Sequence, residues 1–234
     1  PRYVALLTEV MKYAYADRSK YLGDPDFFEV PVSQLTSKEY ANTINQRLNL
    51  YNFMIPAPIP STSITPGQYF PKESLETTHY SIADQYGNII SNTYTLNSAY
   101  GSGVTIEGTG ILMNNEMDDF SASPGTPNQF GLLGGEANEI IPEKRPLSSM
   151  TPTIVLKDDV PYFATGTPGG SRIITSVLQS ILNIVDFDFE VSDAILKPRI
   201  HHQWFPDKLE LEKSFNSIHA ETLEQKGYAV SMIN

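Results

Sequence analysis

Two stretches of the chain, Thr77 to Ala83 and Ile89 to Leu96, alternate in character every second residue. Between them Asp84-Gln85-Tyr86-Gly87-Asn88 supplies turn-forming residues. That pattern predicts two antiparallel strands joined as a hairpin. With the turn centred on Tyr86, opposed residues have numbers summing to about 172, which sets Thr77 across from Thr95. The odd-numbered face then carries Thr77, His79, Ser81, Ser91, Thr93, Thr95 and Asn97, and the even-numbered face carries Tyr80, Ile82, Ile90, Tyr94 and Leu96. The even face is expected to be core and the odd face a hydroxyl-rich surface. From periodicity alone, such a row of Thr and Ser is an ordinary solvated sheet face, since Thr forms strands well anywhere.

The chain around the hairpin reads as helices and short strands. Val4 to Leu22 repeats its apolar residues at helical spacing and stops at Gly23-Asp24-Pro25. Thr36-Ser37-Lys38-Glu39 has the form of a capping box opening a helix that runs to about Leu48. From Ile55 to Lys72 five prolines stand among Ser, Thr and Gly, and regular structure is not expected there. Short strand pieces punctuated by glycine are expected between Gly101 and Asn115, and a long ordered loop from Phe120 to Ala137. Thr153 to Lys157 and Pro161 to Thr165 form a second hairpin, after which Pro168-Gly169-Gly170-Ser171 leads into a broad apolar helix from Ile173 to Val185. A short helix capped by Ser192 ends before Pro198, Lys208 to Lys213 alternates as a strand, and Glu221 to Lys226 is helical with Gly227 as its C-cap. Hairpins flanked by helices give an α+β layering.

Composition excludes several classes. The 16 basic and 27 acidic residues leave a net charge of −11, which disfavours nucleic acid and anionic lipid surfaces as partners. The absence of cysteine removes disulfides and thiolate metal sites. No apolar run approaches the length of a membrane span, so no membrane insertion is expected. The chain opens at Pro1 without an initiator Met and closes in mid-strand, and it reads as an excised piece.

Four words occur in order: Glu76-Thr77-Thr78-His79-Tyr80-Ser81, Asn114-Asn115-Glu116-Met117-Asp118-Asp119-Phe120, Arg145-Pro146-Leu147-Ser148-Ser149-Met150 and Pro168-Gly169-Gly170-Ser171-Arg172. Together they resemble the γ-glutamyltranspeptidase family, whose members cut their own chain before a threonine, and the resemblance covers nearly the whole chain. It implies the four-layer αββα sandwich of the N-terminal nucleophile hydrolases, in part. It also implies a division of the chain: residues 1–76 are the end of a large subunit with a Pro-rich tail, and residues 77–234 are most of the small catalytic subunit. Both belong to one domain.

The chemistry follows from that division. A threonine hydroxyl is a poor nucleophile until a base takes its proton, and a freed α-amino group, with a pKa of about 7.7 to 8.0, can be that base. Thr77 gains such an amine only when the Glu76–Thr77 bond is cut, and its own hydroxyl can make the cut by an N-to-O acyl shift. Thr95, opposite in the register, is placed to support the hydroxyl, as its counterpart does in the family. The resemblance assigns the oxyanion hole to Gly169 and Gly170, although Pro-Gly-Gly-Ser alone is an ordinary helix entry. For a γ-glutamyl group it implies Glu116, Asp119 and Asn97 around the α-ammonium and Ser148 and Ser149 around the α-carboxylate. Without it, paired acids in a loop read as solvated and Ser-Ser after Pro as a turn.

Two departures from the family stand out. Phe130 occupies a lid position where many bacterial relatives have tyrosine, which removes a gating hydroxyl. The arginine that completes the carboxylate site lies upstream of Pro1 in the family, and Arg18, Arg145 and Arg172 are not substitutes. No cofactor is implied. His201-His202 lacks the companions and spacing of a zinc site, and His79 reads as structural. The resemblance implies small γ-glutamyl substrates, glutathione among them, the remainder of a large subunit as partner, and a periplasmic or secreted location. The alternatives are a relative acting on poly-γ-glutamate, a β-lactam or glutaryl acylase, and a catalytically inactive fragment.

Overall fold

The computed structural model describes residues 1–48, 57–64 and 77–233. Most of the Pro-rich stretch, including Glu76, lies outside the described residues. In chain order the elements are α1 (Arg2–Tyr21), α2 (Val32–Leu35), α3 (Lys38–Leu48), β1 (Thr78–Ala83), β2 (Ile89–Tyr94), β3 (Thr153–Lys157) and β4 (Val160–Thr165). They continue with α4 (Arg172–Val185), α5 (Val191–Leu196), β5 (Ile200–His201), β6 (Leu209–Glu212), α6 (Ser217–Gln225) and β7 (Val230–Ile233). The protein mixes helix and sheet, which is the level at which the α+β expectation stands. Among the described residues no helix is long and apolar enough to cross a membrane.

The chain divides into two compact units. The first takes the described residues of Pro1–Pro71, Asp119–Leu147 and Pro198–Asn234. Its spine is α1, which buries Val4, Leu7, Met11 and Tyr15 every three or four residues, the spacing of one helical face, while Arg18 and Lys20 favour its C-terminal dipole. Its sheet has the order β5-β6-β7, antiparallel and then parallel, with α6 forming the parallel crossover. Trp204, Leu209, Leu211 and Leu223 fill the core.

The second unit takes the described residues of Lys72–Asp118 and Ser148–Lys197 and holds the two hairpins with α4 and α5. Strand β2 packs beside β3 and β4. The first hairpin has the register derived from the turn, with Thr78 opposite Tyr94 and Ile82 opposite Ile90. Asp84 makes that turn by accepting the N–H groups of Tyr86 and Asn88 at 2.8 and 2.9 Å.

Several expectations need correcting. The even face of the hairpin is not core: Tyr80, Ile82, Ile90 and Tyr94 are between 45% and 57% exposed, whereas Thr93 on the odd face is 9% exposed. Periodicity identifies the two faces of a strand, but burial depends on which face something else covers. The cap of α3 is Ser37, whose Oγ accepts Tyr40 N–H at 3.0 Å, because Thr36 Oγ1 is spent on Val32 O at the end of α2. Helix α5 begins at Val191 with Glu190 as its N-cap, ahead of Ser192. Helix α6 begins earlier than the apolar pattern indicates, where Asn216 accepts the N–H groups of Ile218 and His219. Between Gly101 and Asn115 the expected strand pieces reduce to one isolated bridge, Thr105 to Leu112.

Candidate active site

Thr77 is half-buried and immediately precedes β1. Extending the ladder by one pair beyond Thr78 and Tyr94 brings it level with Thr95 at the open end of the hairpin. Thr95 Oγ1 accepts Asn97 N–H at 2.9 Å, so the hydroxyl is held against its own backbone. Asn97 has a φ of 76°, a left-handed conformation that asparagine tolerates, and its buried side chain donates to Asn115 O at 3.2 Å. Asn115 completes the corner: its Oδ1 accepts Ser98 N–H at 3.0 Å and its N–H donates to Leu96 O at 3.1 Å. The exit of β2 is thereby laced to the acidic turn. Glu116, next after Asn115, has its N–H held by Asn114 Oδ1 at 3.0 Å and is half-buried.

The glycine pair reaches the same unit along β4. Ser91 Oγ donates to Thr165 O at 3.0 Å. Gly166 then presses so closely on His79 that a Cβ there would fall 2.2 Å from the imidazole ring. This contact docks the end of β4 two residues from Thr77, and three residues later the pair begins. Gly169 and Gly170 have φ values of 141° and 55°, which side chains with a Cβ rarely adopt. Their carbonyls accept Arg172 and Ile173 N–H at 3.0 and 3.2 Å, turning the chain into α4. Those bonds occupy the first two amides of α4, while the N–H groups of Gly169 and Gly170 lie just ahead of it, at the positive end of its dipole, a position that favours negative charge.

His79 braces the odd face. Its Nδ1 is 2.8 Å from Thr93 Oγ1 and its Nε2 is 3.1 Å from Ser81 Oγ. Burial holds the imidazole below its ordinary pKa, which favours the neutral ring. Ser148 is exposed and its Oγ accepts Met150 N–H at 3.0 Å, while Ser149 is half-buried.

Asp119 and Phe130 belong to the first unit. Asp119 is half-buried, its carbonyl accepts Asn138 Nδ2 at 2.7 Å, and its charge acts on Arg18. Burial is the largest influence on that guanidinium and lowers its pKa, with Tyr15 and Asp119 opposing. Phe130 is 6% exposed and its carbonyl accepts Gln203 Nε2 at 3.0 Å, so its ring is interior to that unit. Arg145 is committed to Asp24 and Asp26, and its hydrogen bonds hold the Asp24 carboxyl well below the usual carboxylate range. His201 Nε2 lies 2.8 Å from Gln203 Oε1, and among the described residues no group of three potential ligands gathers around either histidine.

Sequence reasoning missed Asn115 and Gly166. The Asn-Asn pair before an acidic turn is a visible signal for the first, because Asn side chains satisfy backbone groups at irregular corners. Gly166 carries no local signal, since its contact with His79 is remote in sequence.

Comparison with known proteins adds a family to this geometry. The family model described as γ-glutamyltranspeptidase matches residues 1–234. The glutathione hydrolase proenzyme of Escherichia coli is 51% identical over 227 residues, which are 97% of this chain and 38% of that protein. Its counterpart in Pseudomonas aeruginosa is 50% identical over 206 residues, covering 88% of this chain and 35% of that one. The chain thus spans little more than a third of the length of these relatives. Among solved structures, a mutant Helicobacter pylori γ-glutamyltranspeptidase superposes with a TM-score of 0.65 at 52% identity over 67% of this chain and 84% of that one. The cephalosporin acylase of Bacillus halodurans gives 0.76 at 26% identity over 97% of this chain and 37% of that one.

Proposed function

The chain belongs to the γ-glutamyltranspeptidase family, and from that premise we propose that it carries the self-processing threonine centre of an enzyme that removes γ-glutamyl groups from glutathione and related compounds. The observation that carries this reading is the register of the first hairpin, whose last pair is Thr78 and Tyr94, so that Thr77 and Thr95 are the next residues at its open end, near the docked end of β4.

In the uncut chain the nitrogen of Thr77 is an amide and cannot serve as base. Its Oγ attacks the Glu76 carbonyl carbon, the C–N bond breaks as the nitrogen takes a proton, and water hydrolyses the resulting ester. The products are a Glu76 carboxylate and a Thr77 with a free amine. That amine accepts the Oγ proton when the hydroxyl attacks the γ-carbonyl of substrate, and the leaving amine takes the proton away. The N–H groups of Gly169 and Gly170 receive the oxyanion, and Thr95 orients the nucleophile. A second attack, by water or the amine of an amino acid or peptide, returns Oγ to its starting state.

Recognition uses the charges flanking the bond. Glu116 and Asp119, with Asn97, take the α-ammonium, and Ser148 and Ser149 take the α-carboxylate. Phe130 serves the lid without a hydroxyl. Residues 1–76 close a large subunit whose remainder is the partner, residues 77–234 form most of the small one, and the location is periplasmic or secreted. Four-layer αββα packing is supported by the exposed even face of the first hairpin, since a second sheet laid face to face would cover Tyr80, Ile82, Ile90 and Tyr94.

The resemblance to a cephalosporin acylase favours a second reading, in which the acyl group lacks the α-amine. Such an enzyme would lose desolvation energy at Asp119 without gaining an ion pair. Parallel kinetics on γ-glutamyl and glutaryl anilides separate the two, with preference for the γ-glutamyl anilide expected. Mass spectrometry of the full-length protein tests the centre itself: two pieces meeting between Glu76 and Thr77 are expected, and a Thr77→Ala protein that still divides there would overturn the assignment.

A further inference from the structure

Residues 57–64 follow no strand and contain only a single short turn of helix, yet a network of polar groups, most of them buried, holds them. From α1, Lys12 Nζ donates to Ile59 O at 3.0 Å and to Glu9 Oε1 at 3.0 Å. The other Glu9 oxygen accepts Ile59 N–H at 3.2 Å, and both side chains are fully buried. From the segment after β5, Asp207 Oδ2 accepts Ser61 N–H at 2.7 Å. Its Oδ1 lies 3.2 Å from His202 Nε2 and 3.5 Å from Lys12 Nζ. The Trp204 indole N–H donates to Ser61 O at 3.0 Å and also to Ile64 O.

An irregular segment at the surface is ordinarily held by a few solvated contacts, but here the ionised pair Glu9 and Lys12 has been taken out of water to do it, with the partly exposed Asp207 at its edge. Such groups are tolerable only when each has its partners, so loss of any member leaves another buried and unpaired. The network therefore tends to hold or fail as a whole. Its members also divide by sequence. Glu9, Lys12, Ile59, Ser61 and Ile64 stand before Glu76, and His202, Trp204 and Asp207 stand after Thr77.

We propose that Trp204 and Asp207 form a clamp, braced by Glu9 and Lys12 on Ile59 and by the Lys12–Asp207 ion pair, that keeps residues 59–64 fixed on the second piece after the chain is cut between Glu76 and Thr77. The clamp rests on the scission reading above. It fixes the far end of the described part of the first piece, leaving only residues 65–76 beyond it. Twelve residues span at most about 40 Å when fully extended, so the new chain end stays within that radius of Ile64.

Hydrogen exchange read by mass spectrometry on the full-length protein tests this. Exchange of peptides covering 57–64 is compared between the cut wild type and uncut Thr77→Ala protein, and a change under twofold is expected. A tenfold or greater acceleration on cutting overturns the clamp. Trp204→Phe, which keeps a ring but loses the indole N–H, should raise exchange over 57–64 at least tenfold while peptides of α4 are unaffected. Unchanged exchange in that variant also overturns it. Asp207→Asn serves as a second variant with the same expectation. To keep the clamp apart from self-processing, Thr77→Ala protein with a site-specific protease sequence ahead of residue 77 is cut by the added protease. Protection of 57–64 that survives this cut supports the clamp even if the wild type does not cut itself, and protection lost to it rejects the clamp even if the wild type does.

Discussion

The two units differ in which side chains break the usual rule of burial. In the first, Glu9, Lys12 and His202 are almost wholly removed from water, while in the second Tyr80, Ile82, Ile90 and Tyr94 stand about half exposed on a strand pair. Judged residue by residue this is backwards, since polar and charged groups prefer water and large apolar groups avoid it. The difference teaches that burial follows the completeness of a local arrangement. The polar groups are buried because each meets a partner, and the apolar face is open because nothing in its own unit covers it.

The largest test of this contrast removes the chemistry that the open unit carries. Thr77→Ala should abolish scission and lower turnover by roughly four orders of magnitude or more, as loss of a nucleophile does elsewhere. Denaturing electrophoresis and a γ-glutamyl anilide assay measure both. Next is the buried side: Lys12→Met strands Glu9 without its cation and should cost about 3–5 kcal/mol in denaturant unfolding. A loss below about 1 kcal/mol would mean that the network is not a closed set. Gly170→Ala, at a φ of 55°, forces a strained backbone on the corner ahead of α4. It should lower kcat about a hundredfold with little change in KM, because the amides act on the oxyanion and not on bound substrate.

Ile82→Asp sharpens the comparison from the exposed side. In the full-length protein a second sheet over this face predicts a loss of about 2 kcal/mol, whereas a loss under about 0.5 kcal/mol would leave the face open and remove the four-layer arrangement. The smallest effect is one of pH. Burial, the largest cause, lowers the His202 pKa, with hydrogen bonding to Asp207 opposing and Lys12 reinforcing it. Below the unfolded value of about 6.5 the unfolded chain binds a proton that the folded chain does not, so stability should rise with pH towards that value and then level off. Asp207 also titrates beside it, held low because hydrogen bonds from His202 and Ser61 outweigh its burial, and Glu9 is raised by burial against the pull of Lys12. The difference between wild-type and His202→Gln melting curves across pH 5 to 7 isolates the histidine's share.

How much of this was legible in advance depended on distance along the chain. The hairpin register followed from five turn residues, and the glycine pair at the mouth of α4 followed from helical periodicity, because both are local. The cap of α3 was misplaced by one residue, since Thr36 and Ser37 are equally able to cap and the choice is set by α2 ahead of them. The clamp was invisible because Glu9 meets Ile59 and Lys12 meets Asp207 across long intervals of sequence. The orientation of the hairpin was misjudged for a related reason: alternation sorts side chains into two sets, and only packing decides which set faces inward.

The tight fit of Gly166 against the His79 ring has a consequence for anyone altering this protein. With a methyl at residue 166 falling 2.2 Å from the imidazole, the two positions behave like matched teeth of a gear, and 166 cannot be recut while the ring at 79 keeps its size and place. Libraries that vary residue 166 while freezing His79 will sample mostly jammed proteins; varying the pair together opens the combinations in which a smaller side chain at 79 makes room for one at 166.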